Sequence, residues 1–132
     1  MISLKPALAK LFAKRIYKKI NKWANNPILT QEQVFQELIA TATSTAFGKD
    51  HDFVSINSYD DFVKRVPIRD YEGLKPYVDR VVAGEEDVLW AGKPLYFAKT
   101  SGTTSGSKYI PITKDSMPSH IQAARNISEI FI

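Results

Sequence analysis

Apolar residues recur every four positions near the start of the chain, and this period predicts an amphipathic helix over Ser3–Ala24. Lysines follow the same period two residues out of step, so the helix has a separate basic face. Phe12 and Trp23 lie on the apolar side, where we expect them to anchor the helix in the core. The Asn-Asn-Pro run at 25–27 ends the helix. The apolar row consists of Leu4, Leu8, Phe12, Ile16 and Ile20.

A second apolar stripe predicts a second helix from Thr30. Thr30 and Gln33 have the spacing of a capping box, in which side chains satisfy the free N–H groups of the first turn. Phe47 and Gly48 close the helix, with Gly48 suited to the left-handed position after a helix end. We expect the first two helices to pack as a hairpin. The stripe consists of Val34, Phe35, Leu38, Ile39 and Ala42.

Two shorter helices follow, each with a capping residue before it. Ser58 precedes a helix over Tyr59–Val66, and Asp70 precedes one over Tyr71–Ala83 that Gly84 terminates. Pro76 lies inside the second of these, which predicts a kink or a late start near Lys75.

Short β-prone runs replace the helical period in the last third. Leu95–Ala98 and Tyr109–Ile112 predict two strands on either side of a polar loop. Thr113 or Ser116 then caps a final helix, Met117–Ile132. The predicted fold class is therefore α/β, with a mainly helical region over residues 1–90 and a strand-loop-strand-helix region over 91–132 in a single partial domain.

Composition excludes several classes of protein. The chain has 132 residues, 44% of them hydrophobic and 24% charged, which is typical of a globular domain. It has no cysteine, so disulfides, thiolate catalysis and cysteine metal sites are excluded, and we expect a cytoplasmic location. No apolar run reaches the roughly 20 residues that span a bilayer, and lysines interrupt the N-terminus where a signal peptide would be continuous. We expect no integral membrane segment.

Positive charge is concentrated in one segment. The net charge is +4, but the first 31 residues contain seven basic side chains and no acidic one, whereas all 14 acidic residues lie in the rest of the chain. A basic amphipathic helix can bind an anionic membrane or nucleic acid, and an adaptor of this kind is one alternative for the protein. A solvated face on a helix docked to its own domain is the commoner explanation, so we expect no nucleic-acid partner.

The polar loop, TSGTTSGSK over Thr100–Lys108, has the composition of an anion site. Its glycines permit a close approach of the backbone, and successive backbone N–H groups and hydroxyls can converge on an anion. Lys108 supplies a full positive charge, and no carboxylate occurs from Gly92 to Lys114. The candidate phosphate contacts are Thr100, Ser101, Gly102, Thr103, Thr104, Ser105, Gly106 and Lys108, with Lys108 as the catalytic candidate.

Two other interpretations compete for this loop, and His51 is a separate candidate site. A flexible Gly/Ser linker shares the composition, but it needs neither flanking strands nor a terminal lysine. A Walker-type phosphate loop is excluded at three points. Its two glycines have four residues between them, whereas Gly102 and Gly106 have three. Its lysine directly follows the second glycine and precedes Ser or Thr, whereas Ser107 separates Gly106 from Lys108 and Tyr109 follows. His51 lies between two aspartates but has no second ligand at a spacing that suits a metal.

The loop resembles the Ser/Thr/Gly-rich nucleotide-phosphate loop of the adenylate-forming superfamily. Ser107 stands where those enzymes commonly have proline, and Ser105 resembles an extra residue. Together with VPIRDYEGLKPYVDRVVAGEEDVLW at Val66–Trp90, it is similar to the auxin-responsive Gretchen Hagen family of acyl acid amido synthetases, particularly its bacterial relatives. The resemblance covers most of the chain from about Ile28.

The resemblance implies the start of an adenylate-forming-enzyme sheet, with the loop between two of its strands. It also implies an ATP-dependent ligase that activates a carboxylic acid as an acyl-adenylate and transfers the acyl group to an amino acid. ATP and Mg²⁺ would be required, with the magnesium ligand outside these residues. Members of the family are several times longer, so we expect a C-terminally truncated, inactive N-terminal piece. An acyl-CoA ligase or acyl-protein synthetase of the same superfamily is the closest enzymatic alternative.

Overall fold

A computed structural model describes residues 4–100 and 106–130, with side chains described for 10–100 and 106–123. Within these residues the chain is mostly helical, with one small antiparallel sheet of two strands. The order of elements is α1 (Leu4–Ala24), α2 (Pro27–Ala42), α3 (Ala46–Asp50), a 3-10 turn (Phe53–Ser55), α4 (Tyr59–Arg65), α5 (Tyr71–Val82), β1 (Tyr96–Thr100), β2 (Lys108–Ile112) and α6 (Met117–Ile130).

Helix α2 begins three residues before the predicted start. Pro27 occupies its first turn, where a missing N–H costs nothing. The hydroxyl of Thr30 donates a hydrogen bond to the carbonyl oxygen of Asn26 at 2.8 Å, so Thr30 lies inside the helix. The predicted capping box at Thr30 and Gln33 is therefore wrong.

Helix α2 also ends before Phe47, because a buried threonine turns the chain into a separate helix. Thr45 is fully buried, and its hydroxyl donates to the carbonyl oxygen of Ala42 at 2.7 Å and accepts the N–H of Gly48 at 3.0 Å. Gly48 consequently lies within α3. The predicted left-handed role for Gly48 is wrong, because its φ is not positive. A Cβ on Gly48 would overlap the carbonyl oxygen of Ala42, so close packing explains the glycine.

The core lies where α2, the 3-10 turn and α4 meet. Four side chains are buried there, and aromatic rings pack around them in edge-to-face pairs such as Phe35 with Phe62 and Phe47 with Phe53. Trp90 packs on the same cluster from the segment before β1. The buried residues are Ile39, Ala42, Phe53 and Ile56.

Helix α1 contacts both α2 and α6 but leaves much of its apolar side in solvent. Phe12 is 61% exposed and Trp23 is 49% exposed, so the expectation that they anchor α1 in the core is wrong. No helix in the described part of the chain combines the length and apolarity needed to cross a bilayer.

Helix α5 has the predicted cap and terminator. The carboxylate of Asp70 accepts the N–H of Gly73 at 2.9 Å, and the helix starts at Tyr71 with Pro76 inside it. The late start near Lys75 is therefore wrong. Gly84 follows the end of the helix with a φ of +95°, the left-handed geometry that favours glycine.

A tight turn connects the helices to the sheet. The N–H groups of Ala46 and Phe47 donate to the carbonyl oxygens of Asp87 and Val88, at 2.7 and 2.9 Å, and the Val88 side chain is 1% exposed. The carboxylate of Asp87 accepts the N–H of Gly92 at 2.7 Å and closes the turn. The start of α3 is therefore fixed against the segment that leads into β1.

Candidate functional site

The predicted site residues flank the connection between β1 and β2. Thr100 ends β1, Lys108 begins β2, and the two are paired across the sheet. Gly106 has a φ of +80°, in the left-handed region, with open space where a Cβ would be. The structure therefore brings Thr100 and Lys108 to one end of the hairpin. Five predicted contacts lie outside the described residues, namely Ser101, Gly102, Thr103, Thr104 and Ser105.

Pro111 determines which backbone groups of β2 face outward. Hydrogen-bonded and non-bonded pairs alternate along an antiparallel ladder. Pro111 has no N–H and pairs with Phe97, so this pair occupies a non-bonded position. The Lys99–Tyr109 pair, two residues along, is non-bonded as well. The N–H of Tyr109 consequently points away from β1.

Tyr71, the first residue of α5, meets that outward edge. Its hydroxyl oxygen accepts the N–H of Tyr109 at 2.9 Å. The Nζ of Lys108 lies 5.4 Å from the centroid of the Tyr71 ring, within the range of a cation–π interaction. Tyr71 and Lys108 are both half-buried. One aromatic side chain therefore contacts both the backbone and the charged group at the start of β2.

A second lysine lies at the same end of the hairpin. Lys99 precedes Thr100, and its Nζ lies 5.9 Å from the centroid of the Tyr109 ring. Phe97 meets that ring edge-to-face at 6.3 Å. Side chains of neighbouring residues in a strand point to opposite faces, so Lys99 and Lys108 place positive charge on both faces of the hairpin. The sequence-based prediction gave Lys108 as the only source of positive charge for the anion, although the position of Lys99 beside Thr100 also indicated a cation there.

The hairpin itself carries no carboxylate. The stretch from Gly92 to Lys114 contains no acidic residue. The next carboxylate, that of Asp115, accepts the indole N–H of Trp90 at 3.1 Å. Two cations without a neighbouring carboxylate in sequence favour an anion at the connection.

Tyr71 was not predicted as a site residue. The sequence marks it only as the start of a helix, since nothing in a helical period distinguishes a first-turn tyrosine that contacts a strand 38 residues later. The available signal was its place in the segment that carries the family resemblance.

His51 is part of the core. Its ring is 6% exposed, stacks on Phe47 with centroids 4.1 Å apart, and has Nδ1 2.8 Å from the carbonyl oxygen of Phe47. That carbonyl accepts, so Nδ1 carries the proton. Among the described side chains, no three His, Asp or Glu groups cluster in a way that could hold a metal ion.

Nearby, Tyr77 joins α5 to α3. Its hydroxyl donates to the carboxylate of Asp50 at 2.7 Å, and its ring meets that of Phe47 edge-to-face. Burial, followed by the contact with Asp50, raises the pKa of Tyr77. These contacts hold α5, and with it Tyr71, against the helical core.

Comparison with known proteins identifies several relatives of this chain. The chain is 35% identical over 94 residues to the 4-substituted benzoates-glutamate ligase GH3.12 of Arabidopsis thaliana. It is 29% identical over 92 residues to the indole-3-acetic acid-amido synthetase GH3.2 of the same plant. It is 31% identical over 97 residues to the probable indole-3-acetic acid-amido synthetase GH3.13 of Oryza sativa subsp. japonica.

The matches cover most of this chain but a small part of each relative. They span 69%, 69% and 66% of the chain, and 16%, 17% and 21% of the three relatives in the same order. The chain therefore spans about a sixth to a fifth of the length of these relatives.

The match to a protein family covers more of the chain than any of these three pairwise matches does. Residues 16–132 match the model of the GH3 family N-terminal domain, and this range includes α2 to α6, both strands and the whole Thr100–Lys108 connection. This chain belongs to the GH3 family, the Gretchen Hagen family that its loop and its Val66–Trp90 segment resemble.

Proposed function

We propose that this chain is the N-terminal part of an ATP-dependent acyl acid amido synthetase. The observation that carries the proposal is a hairpin connection of Gly, Ser and Thr, closed by Lys108, in a chain that belongs to the GH3 family. The names of its relatives support the same class, since one is a 4-substituted benzoates-glutamate ligase, one an indole-3-acetic acid-amido synthetase and one a probable indole-3-acetic acid-amido synthetase.

The proposed reaction has two steps. A carboxylate oxygen of the acid attacks the α-phosphorus of ATP, and the bond from that phosphorus to the bridging oxygen breaks, so that pyrophosphate leaves with the electron pair. The amine of an amino acid then attacks the acyl carbon, loses a proton, and displaces AMP to form an amide. The first step needs no general base in this region, because the attacking carboxylate is already ionised.

The task of this region in the first step is electrostatic. Charge develops on the leaving pyrophosphate, and fixed donors in place before the reaction stabilise it without reorganisation. Backbone N–H groups and hydroxyls from Thr100 to Gly106 would contact the β- and γ-phosphates, while Lys108 neutralises charge. Gly102 and Gly106 would give the connection its shape, in line with the positive φ of Gly106.

Magnesium accompanies ATP in reactions of this kind, where it neutralises phosphate charge. The described side chains do not provide a fitting set of ligands, since no three acidic or histidine groups cluster there. The proposal therefore places the magnesium ligands outside these residues.

Exchange of pyrophosphate into ATP tests the proposal, because it reports the first step alone. In the complete protein, Lys108→Ala should lower acid-dependent exchange about 10- to 100-fold, the equivalent of one hydrogen bond to a charged group. Lys114→Ala, which removes an exposed lysine beyond β2, is the matched control and should exchange like the wild type. An unchanged rate for Lys108→Ala would remove Lys108 from the mechanism.

The acceptor separates amide synthesis from the related chemistries. Acyl-CoA ligases and acyl-protein synthetases share the first step, so exchange alone does not distinguish them. The complete protein should form an amide when amino acids are added and no thioester when coenzyme A is added. We also expect residues 1–132 by themselves to form no amide, since they span so small a part of the relatives.

A second candidate function rests on helix α1. Residues 1–15 lie outside the family match, and Leu11, Phe12 and Tyr17 are each more than 60% exposed. Exposed apolar and aromatic side chains beside lysines favour an anionic membrane surface over nucleic acid. Cosedimentation of the complete protein with phosphatidylglycerol vesicles tests this, with release expected at high salt. Binding to neutral phosphatidylcholine vesicles with equal strength, or no binding to either, would exclude it.

A further inference from the structure

Tyr71 lies where α5 meets the hairpin, between two residues whose side chains are hydrogen-bonded. The side chain of Asp70 caps the first turn of α5, and Tyr77, two turns later, is bonded to Asp50 of α3. The helical segment from Tyr71 to Tyr77 is thus held by a hydrogen bond at each end. Its ring and hydroxyl can therefore act as a fixed platform for whatever they contact.

The two contacts of Tyr71 reach adjacent residues of β2 by different chemistry. The hydroxyl oxygen accepts the N–H of Tyr109, a donor that the register of Pro111 leaves without a partner on β1. The ring face lies under the ammonium of Lys108, 5.4 Å from the centroid. The first contact fixes the strand and the second restrains the side chain.

A lysine side chain has a flexible four-carbon stem, so its ammonium samples a large volume unless something restrains it. A ring face beneath the ammonium attracts it weakly and leaves its positive charge in place, whereas a carboxylate would neutralise that charge. The ammonium therefore stays near the end of the hairpin, beside Thr100, and remains available to an anion.

We infer that Tyr71 is a positioning residue for nucleotide phosphates, acting by holding Lys108 and the start of β2 in place. The inference rests on the proposed function, in which Lys108 contacts the phosphates. Tyr71 itself touches neither the phosphates nor the reacting atoms in this arrangement. Its contribution should be confined to ligands that carry the β- and γ-phosphates.

The test measures ATP and AMP binding to the complete protein at equilibrium, together with the KM for ATP in pyrophosphate exchange. Tyr71→Leu removes both contacts and should weaken ATP binding about 5-fold, while Tyr71→Phe keeps the ring and should weaken it about 2-fold. AMP binding should change in neither variant. Tyr59→Leu is the matched control, because Tyr59 is also the first residue of a capped helix, α4, and ATP binding should be unchanged.

A double-mutant cycle distinguishes positioning from a merely structural role. In the Lys108→Ala background, Tyr71→Leu should weaken ATP binding less than 2-fold, since the group it restrains is gone. If Tyr71→Leu reduced ATP affinity equally with and without Lys108, the inference would be overturned. It would also be overturned if Tyr71→Leu reduced the affinities for AMP and ATP equally. Should Tyr71→Leu fail to fold, Tyr71→Phe decides, and unchanged ATP binding in that variant would overturn it.

The cycle also separates this inference from the proposed function. If Lys108→Ala alone leaves ATP binding and exchange unchanged, the phosphate role of the hairpin fails. If Lys108→Ala weakens both and Tyr71→Leu weakens neither, the hairpin role stands and only the role of Tyr71 fails.

Discussion

Gly48→Ala tests the close packing of α3 against the end of α2. An alanine Cβ at position 48 would overlap the carbonyl oxygen of Ala42 and lie 3.0 Å from its carbonyl carbon, whereas ordinary contacts begin near 3.4 Å. That carbonyl cannot move freely, because it accepts hydrogen bonds from both the N–H and the hydroxyl of Thr45. Helix α3 would have to move away from the end of α2.

Two opposing effects set the magnitude. Alanine in a helix is favoured over glycine by about 1 kcal/mol. Overpacking against backbone costs about 3 kcal/mol, since a shift of α3 would also lengthen the bonds from Ala46 and Phe47 to the carbonyls of Asp87 and Val88. The net expectation is a destabilisation of about 2 kcal/mol.

Hydrogen exchange of the complete protein measures this effect locally. Protection of the α3 amides should fall about 30-fold in Gly48→Ala, the equivalent of 2 kcal/mol. Gly73→Ala is the matched control, because its Cβ would meet only the side chain of Arg69, at 3.2 Å, which can move. Gly73→Ala should keep or raise the protection of α5. Equal or greater protection of α3 in Gly48→Ala would refute the packing argument.

Three further variants test the cap, the turn and a titrating group. Thr45→Val should destabilise the domain by about 2 kcal/mol in urea unfolding, because it leaves the buried N–H of Gly48 without an acceptor, whereas Thr45→Ser should resemble the wild type. Gly106→Ala should cost about 1–2 kcal/mol at a φ of +80°, and Gly106→Asn less, as judged by thermal unfolding. The side-chain hydrogen bond from Ser58, and then the backbone N–H of Asn57, lower the pKa of Asp61. The ionised Asp61 therefore stabilises the folded state at pH values above its ordinary pKa of 3.8. That stabilisation is lost as the pH falls through the lowered folded-state pKa. Ser58→Ala should therefore destabilise α4 more at pH 6 than at pH 2.5, and an equal loss at both would contradict the assignment.

Local chemistry made some elements predictable from sequence. Ser58 and Asp70 cap α4 and α5 as predicted, and each accepts the N–H of the residue three positions later, Asp61 and Gly73. The two strands were also found, with boundaries that differ by two residues or fewer, and the helix after them starts at the predicted Met117. These features are determined within a few residues of chain.

Features determined by distant contacts were not predictable. The break between α2 and α3 depends on the burial of Thr45 and on the carbonyls of Asp87 and Val88, some 40 residues away. The sequence placed the helix end at Phe47-Gly48, because nothing local to residues 43–45 indicated that Thr45 would be buried. Likewise, the sequence identified Lys108 by its charge, but the contact with Tyr71 arises only when α5 packs against β2.

The central claim is that the Thr100–Lys108 connection binds the phosphates of ATP, and a crystal structure of the complete protein with a nonhydrolysable ATP analogue tests it most directly. The account predicts the β- and γ-phosphates within hydrogen-bond distance of the backbone N–H groups of this connection and of Lys108 Nζ. Phosphates bound elsewhere in the protein, with the connection empty, would contradict it.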